Sequence, residues 1–198
     1  MKDLHRSHVR TLILFASLSL MIAVVSCGQK QEQTAQTPEA TPAPAAAPAL
    51  TDANIAAIVV TANTADIKNG EMAKTNSKNK AVVDFAQMMI TDHTSVNKQA
   101  TDLVTKLNVI PEENDTSKQL ASSSDATRES MRAKTGADFD KAYIDNEVAY
   151  HQAVLDMLDH TLIPSAQNAE LKSLLESVRP AFVAHLDHAK KVQGSLGT

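Results

Sequence analysis

From residue 51 onward the apolar residues recur every three or four positions, in four long runs with no strand-like alternation between them. That period belongs to helices that bury one face against each other. In the first run Ile55, Ile58, Val59, Ala62, Asp66 and Ala73 share a stripe, with Thr51 or Asp52 as the cap, and the pattern fades at Thr75-Asn76-Ser77. The second spans residues 79–107 and carries Val82, Ala86, Met89, His93, Ala100, Val104 and Leu107 until Val109-Ile110-Pro111 breaks it. A short polar helix is predicted over 117–134, closed by Gly136. Asp138 is the expected cap of the next stripe, Phe139, Tyr143, Glu147, His151, Val154, Leu155 and Leu158, which Ile163-Pro164 stops. The last begins after Asn168 and sets Leu171, Leu174, Leu175, Val178, Phe182, His185, Leu186 and Ala189 inward, with Gly194 just past its end. Pro180 within it removes one backbone hydrogen bond and should bend the helix before His185. Four amphipathic helices of roughly 23 to 29 residues on short connections predict an all-α antiparallel bundle. The longest link, between helices two and three, holds the short extra helix.

The stripes are apolar except at one level. His93, His151 and His185 lie on the core faces of helices two, three and four, and Asp66 on that of helix one, each near mid-helix. With a rise of about 1.5 Å per residue, these side chains can meet at one height in the bundle. Neutral imidazole and carboxylate are ligands for Zn, Fe, Mn or Cu, and bundle cores build such sites from facing helices. The metal-ligand candidates are therefore Asp66, His93, His151 and His185, for one divalent transition metal. Glu147 precedes His151 by four, faces the same way and adds a possible fifth ligand. Asp92 points roughly 100° away from His93 around the helix and is expected outside the ligand shell, with Tyr143 also supporting from outside. The competing reading is a hydrogen-bonded network without metal, with pairs Asp66–His93 and Glu147–His185. His160 and His188 near helix ends are expected at the surface, and Met72, Met88 and Met89 as core filler.

Composition excludes other classes. The 198 residues include one Cys, no Trp and five Gly, so there is no disulfide framework, no Cys-rich metal module and no phosphate-cradling GxGxxG or GxxxxGK[ST] loop. Removing residues 1–26 takes away three Lys/Arg and one Asp, leaving 16 basic against 22 acidic residues, net −6. Such a chain is not expected to bind nucleic acid. No nucleophile elbow is present, since the Ser122-Ser123-Ser124 run lies in the polar connector. Paired Glu-x-x-His motifs for a di-iron centre are also missing, and no catalytic residue is assigned.

The N-terminus is an export address. Lys2, Arg6 and Arg10 precede an apolar run from Leu12 to Val25, shorter than a membrane span. It ends in Val24-Val25-Ser26-Cys27, which resembles the lipobox of bacterial lipoproteins. That resemblance implies a signal peptide over 1–26, lipid on Cys27, and a membrane partner through the anchor. Gly28, rather than Asp, after the Cys favours the outer membrane or its periplasmic face by resemblance to enterobacterial sorting. Residues 27–50 hold four of the seven Pro among Ala, Gln and Thr, the composition of a disordered tether, so the bundle domain is 51–198.

Further strings carry a second resemblance. Asn63-Thr-Ala-Asp66-Ile67 with Gly70 and Ala73, then Phe85-Ala86-x-x-Met89-x-x-Asp92-His93, then Phe139-Asp140-x-x-Tyr143 with His151, then Pro180-x-x-x-x-His185-Leu186, resemble a bacterial family known as domain of unknown function 4142. The resemblance implies a ferritin-like four-helix bundle, usually exported and often lipid-anchored, and supplies no activity. Where that family usually carries Glu on the first helix, this chain has the shorter Asp66; Glu147 falls at a variable position. The function expected is a non-enzymatic, lipid-anchored envelope protein whose bundle binds a partner, small ligand or metal. The alternative is a mononuclear metal-binding bundle with an oxidoreductase or metal-buffering role.

Overall fold

The computed structural model describes residues 49–197. The signal segment 1–26, Cys27 and all but the last two residues of the 27–50 tether lie outside the described residues. Leu50, the end of that tether, is already partly buried against the bundle core. The described residues form helices and no strand: α1 Asp52–Asn76, α2 Lys80–Lys106, α3 Asp115–Arg132, α4 Gly136–Met157, a π-helical turn Leu158–Leu162, α5 Ile163–Ser165 and α6 Ala169–Leu196. Among them no helix is long and apolar enough to cross a membrane.

The helix starts follow side-chain chemistry. Thr51 and Asn54 form a reciprocal capping box on α1, and Asn114 and Ser117 form another on α3. Asn79 and Asn168 accept from the first free backbone N–H groups of α2 and α6. Asp52 is not the cap of α1. Its carboxylate instead accepts from the backbone N–H groups of Gln167 (2.9 Å) and Asn168 (3.0 Å), tying the start of α6 to the start of α1.

Several boundaries differ from the sequence expectation. Asp138 does not cap α4: Thr135 holds the N-cap position without a side-chain bond, and Gly136 opens the helix at φ +57°, a conformation costly for any residue with a Cβ. α3 ends at Arg132, short of Gly136. Pro164 does not stop the chain's helical path at once; it lies in α5, directly after the π-helical turn, and the backbone turns extended only at Ala166. Gly194 lies inside α6, which runs on to Leu196.

Two apolar clusters give the topology. One gathers Ala73, Val82, Phe85, Met89, Met131, Phe139, Tyr143, Ile144 and Ala189; the other gathers Ile55, Ile58, Ala100, Leu158, Leu171 and Leu175. α1 and α6 therefore run from the second cluster to the first, and α2 and α4 run back. α3 starts beside Asn54 and ends with Met131 in the first cluster, so it crosses the length of the bundle between α2 and α4. α1 packs on α2 and α4, and α6 packs on α4 and α2. Among the four bundle helices α1, α2, α4 and α6 every neighbouring pair is antiparallel and the diagonals parallel, the ferritin-like arrangement with one long crossover. The Met residues join the first cluster, Met89 fully buried and Met72 and Met88 at its edge.

The α1–α2 pair is the closest approach. A Cβ added at Gly70 meets Ile90 Cγ1 at 2.9 Å and the Ala86 carbonyl oxygen at 3.0 Å. Gly70→Ala should thus lose stability despite the roughly 1 kcal/mol that Ala gains over Gly in a helix, because a packed backbone has to shift. Urea unfolding is expected to give a net loss of about 1 kcal/mol; a stabilised variant would refute the close packing.

Candidate metal centre

Between the two apolar clusters the core turns polar. Asp66 from α1, His93 from α2, Glu147 and His151 from α4, and His185 from α6 all point into it, each at most 3% exposed. One nitrogen from each of His93, His151 and His185 lies within 4.8 Å of one from each of the others, and the same holds for one atom each of Asp66, Glu147 and His151. The ring centroids stand 5.3–5.6 Å apart. Phe182 stacks on His93 at 5.1 Å and meets His151 edge-on at 6.3 Å, closing the site with an apolar wall.

Each ring is held from outside. Asn63 donates its Nδ2 to the Val59 carbonyl (2.9 Å), so its Oδ1 has to face His93, and His93 Nδ1–H donates to it at 2.7 Å. His151 Nδ1–H donates to the Glu147 backbone carbonyl at 3.0 Å. His185 Nε2–H donates to Asp92 Oδ2 at 2.9 Å, and the Asp92 side chain is 43% exposed. These three bonds use the one N–H of each neutral ring. The remaining nitrogens, His93 Nε2, His151 Nε2 and His185 Nδ1, are therefore lone pairs, and all three are buried without a hydrogen-bond partner among the described residues.

Burial disfavours a charge on His93 and His185. Desolvation pulls the His93 pKa down to about 4, against the opposing pull of Asp66 and with the neighbouring His151 and His185 adding to the fall. Desolvation also lowers His185, more than its hydrogen bond to Asp92 raises it. Asp66 Oδ2 stands 3.0 Å from His93 Nε2 and 3.5 Å from His151 Nε2, close but not aligned for a hydrogen bond. Glu147 is driven well above the usual carboxylate range by burial and then by the Asp66 charge.

The residues singled out in the sequence thus come together, with specific differences. Glu147 does not pair with His185: α4 and α6 place it beside His151, its Oε2 being 3.6 Å from His151 Nδ1, and His185 turns outward to Asp92. Tyr143 stacks on Phe139 and meets Phe85 edge-on, and its hydroxyl has no partner among the described residues. Burial and the nearby Glu147 and Asp66 charges raise that phenol well above its usual range. His160 is exposed, whereas His188 is half-buried with its ring on Phe85 at 5.3 Å. Asn63 was not assigned to the site from sequence, and Tyr150 also borders it. Asn63 precedes Asp66 by three, which places it on the same helix face and was a readable signal. Tyr150 packs edge-on against His151 and donates to the Ala62 carbonyl at 2.9 Å, a partner no spacing rule identifies.

The pH dependence of stability tests the neutral state of His93. Its folded value near 4 lies below the ordinary 6.5, so the unfolded chain takes up the proton first as pH falls. The contribution of His93 is full above pH 6.5 and lost toward pH 4. Asn retains a donor for Asn63, and the stability difference between wild type and His93→Asn is expected to shrink by about 3 kcal/mol from pH 7 to pH 4. Urea unfolding of chelator-treated protein measures it, and a difference independent of pH would overturn the assignment.

With this geometry in hand, the chain can be set beside known proteins. No curated protein matches it significantly. A solved structure, CopM in the Cu(II)-bound form, is similar to it with a TM-score of 0.57 at 15% sequence identity, covering 74% of this chain and 98% of that one. At that identity the likeness concerns the fold. The family model "Domain of unknown function (DUF4142)" matches residues 36–192, which include all four bundle helices and every residue of the polar cluster. The chain belongs to the DUF4142 family.

Proposed function

We propose that this protein sequesters one divalent transition metal in the polar level of its bundle, as a lipid-anchored component of the bacterial envelope. The observation that carries the reading is the convergence of three buried imidazole lone pairs, each aimed inward by a hydrogen bond on the far side of its ring. A metal-free network requires a proton between each lone pair and its neighbour. Among the described residues no side chain donates to any of the three. A cation satisfies all three nitrogens at once. His93 Nε2, His151 Nε2 and His185 Nδ1 would hold it with Asp66 beside them, the rings drawing in slightly to reach the roughly 2.0–2.1 Å of a metal–imidazole bond.

Charge selects the ion. A divalent cation brings positive charge to a level that otherwise holds only imidazole and carboxyl groups inside a low-dielectric core. Imidazole donors suit Cu(II) and Zn(II), and the similar structure is described as Cu(II)-bound. The enclosure of the three rings, each at most 3% exposed, favours holding and handing on an ion over turnover of a substrate. The lipobox ending in Cys27 supports anchoring at the envelope.

Two experiments test these readings. Protein purified without chelator is expected to contain one metal ion per chain by elemental analysis, and His93→Asn and His151→Asn to contain almost none. Asn63→Ala, which frees the His93 ring, should keep the stoichiometry but weaken affinity roughly 10- to 100-fold. Absence of metal under varied supply would leave the polar level as a structural network. Separately, radiolabelled palmitate should enter the wild type and not Cys27→Ala, and equal labelling would remove the anchor.

A further inference from the structure

The crossover helix is bound by unusual means. α3 is a polar helix whose buried residues are Ser117, Ser124, Arg128 and Met131, so Met131 is its one large apolar side chain in the buried class, with Leu120 partly buried. Opposite small Ala121 and Ser124, the α1 surface offers Val60, Thr64 and Ala65, and the packing leaves a cavity of about 220 Å³ between the helices. A second, more open cavity of about 560 Å³ continues it along the same groove. The two share a wall of Lys68, Asp125 and Arg128.

Charge in this groove is not self-contained. Arg128 is 8% exposed, yet its contacts are a long 3.5 Å hydrogen bond to Asn69 Oδ1 and an ion pair with Asp125, whose side chain is 68% exposed. Its Nε has no partner among the described residues, although a guanidinium offers five N–H donors. Lys68 makes no ion pair or hydrogen bond among the described residues. Arg132, the third cation, pairs with Glu129 at the surface. Arg128 and Arg132 thus have acidic partners in Asp125 and Glu129, and Lys68 is the cation of the groove left without one among the described residues.

We propose that the groove between α1 and α3 binds a small monocarboxylate, its acid group meeting Arg128 and Lys68 and its aliphatic arm lying in the smaller cavity beneath α3. The guanidinium matches a carboxylate in a planar, two-point contact. Glu71 and Asp125 in the same lining disfavour a dianion such as phosphate. Val60, Ala65 and Ala121 supply an apolar lining for the arm, and the hydroxyls of Thr64 and Ser124 border it. This site is separate from the metal centre and does not depend on it.

Calorimetric titration of the purified full-length chain with hexanoate tests the proposal, with metal content measured on every sample. Saturable binding at one per chain is expected, weakened roughly tenfold or more in Arg128→Met. Lys68→Ala, an exposed change that leaves α3 docking intact, should weaken it in the same direction while metal content stays at the wild-type value. Hexanoate that does not saturate, or that binds both variants as it binds wild type, overturns the proposal. So does hexylamine binding as well as hexanoate, or inorganic phosphate binding where hexanoate does not.

Discussion

Five ionisable side chains share one level of an otherwise apolar bundle, and the rest of the architecture is organised around keeping them there. Burying a polar group without a partner costs a few kcal/mol, and burying a charge costs more. The fold meets this in two ways. Desolvation drives His93 and His185 toward their neutral forms and Glu147 toward its protonated form, which removes most of the charge. Asn63, the Glu147 carbonyl and Asp92 each take one imidazole N–H, which fixes the tautomers. What is left over is three lone pairs and a carboxylate facing one another, donor atoms of the kind that hold a cation.

The crossover topology is what makes this convergence geometrically simple. With every neighbouring pair antiparallel, the middle of each helix lies at the same height whichever way the helix runs. The apolar clusters above and below then act as two plugs. One is rich in Phe85, Phe139, Tyr143 and Met89, the other in Ile and Leu, and Phe182 closes the side of the polar level. Water is excluded from both ends, which strengthens electrostatic interactions inside. α3 contributes little to this core. It runs the length of the bundle to join α2 to α4, and its polar underside leaves a groove of different character on the outer face of α1.

Much of this was legible because helical periodicity is a local signal. Asp66, His93, His151 and His185 sit on stripes whose other members are apolar, so their inward direction followed from spacing alone. Boundaries read less well where backbone conformation rather than composition decided them: Gly136 opens a helix instead of closing one, and Pro164 enters a new helical turn after a π-helical stretch. The partner of His185 was misassigned to Glu147 for a related reason. Both lie on core stripes, but the rotation of α6 against α2 brings Asp92, near the surface, within reach of the far side of the ring.

The amino-acid sequence by itself determined which faces are buried, that one level of each face is polar, and that five donor-bearing side chains occupy it, because these depend only on residue type and a period of 3.6. Which nitrogen of each ring faces inward was decided only in three dimensions. It depends on the orientation of the Asn63 amide, on the backbone carbonyl of Glu147 and on the place of Asp92 across the α2–α6 interface. None of those is a property of the histidines or of their spacing. The groove at Arg128 is likewise tertiary: only the docking of a small-residue helix face on α1 buries most of this arginine beside Asn69 and Asp125.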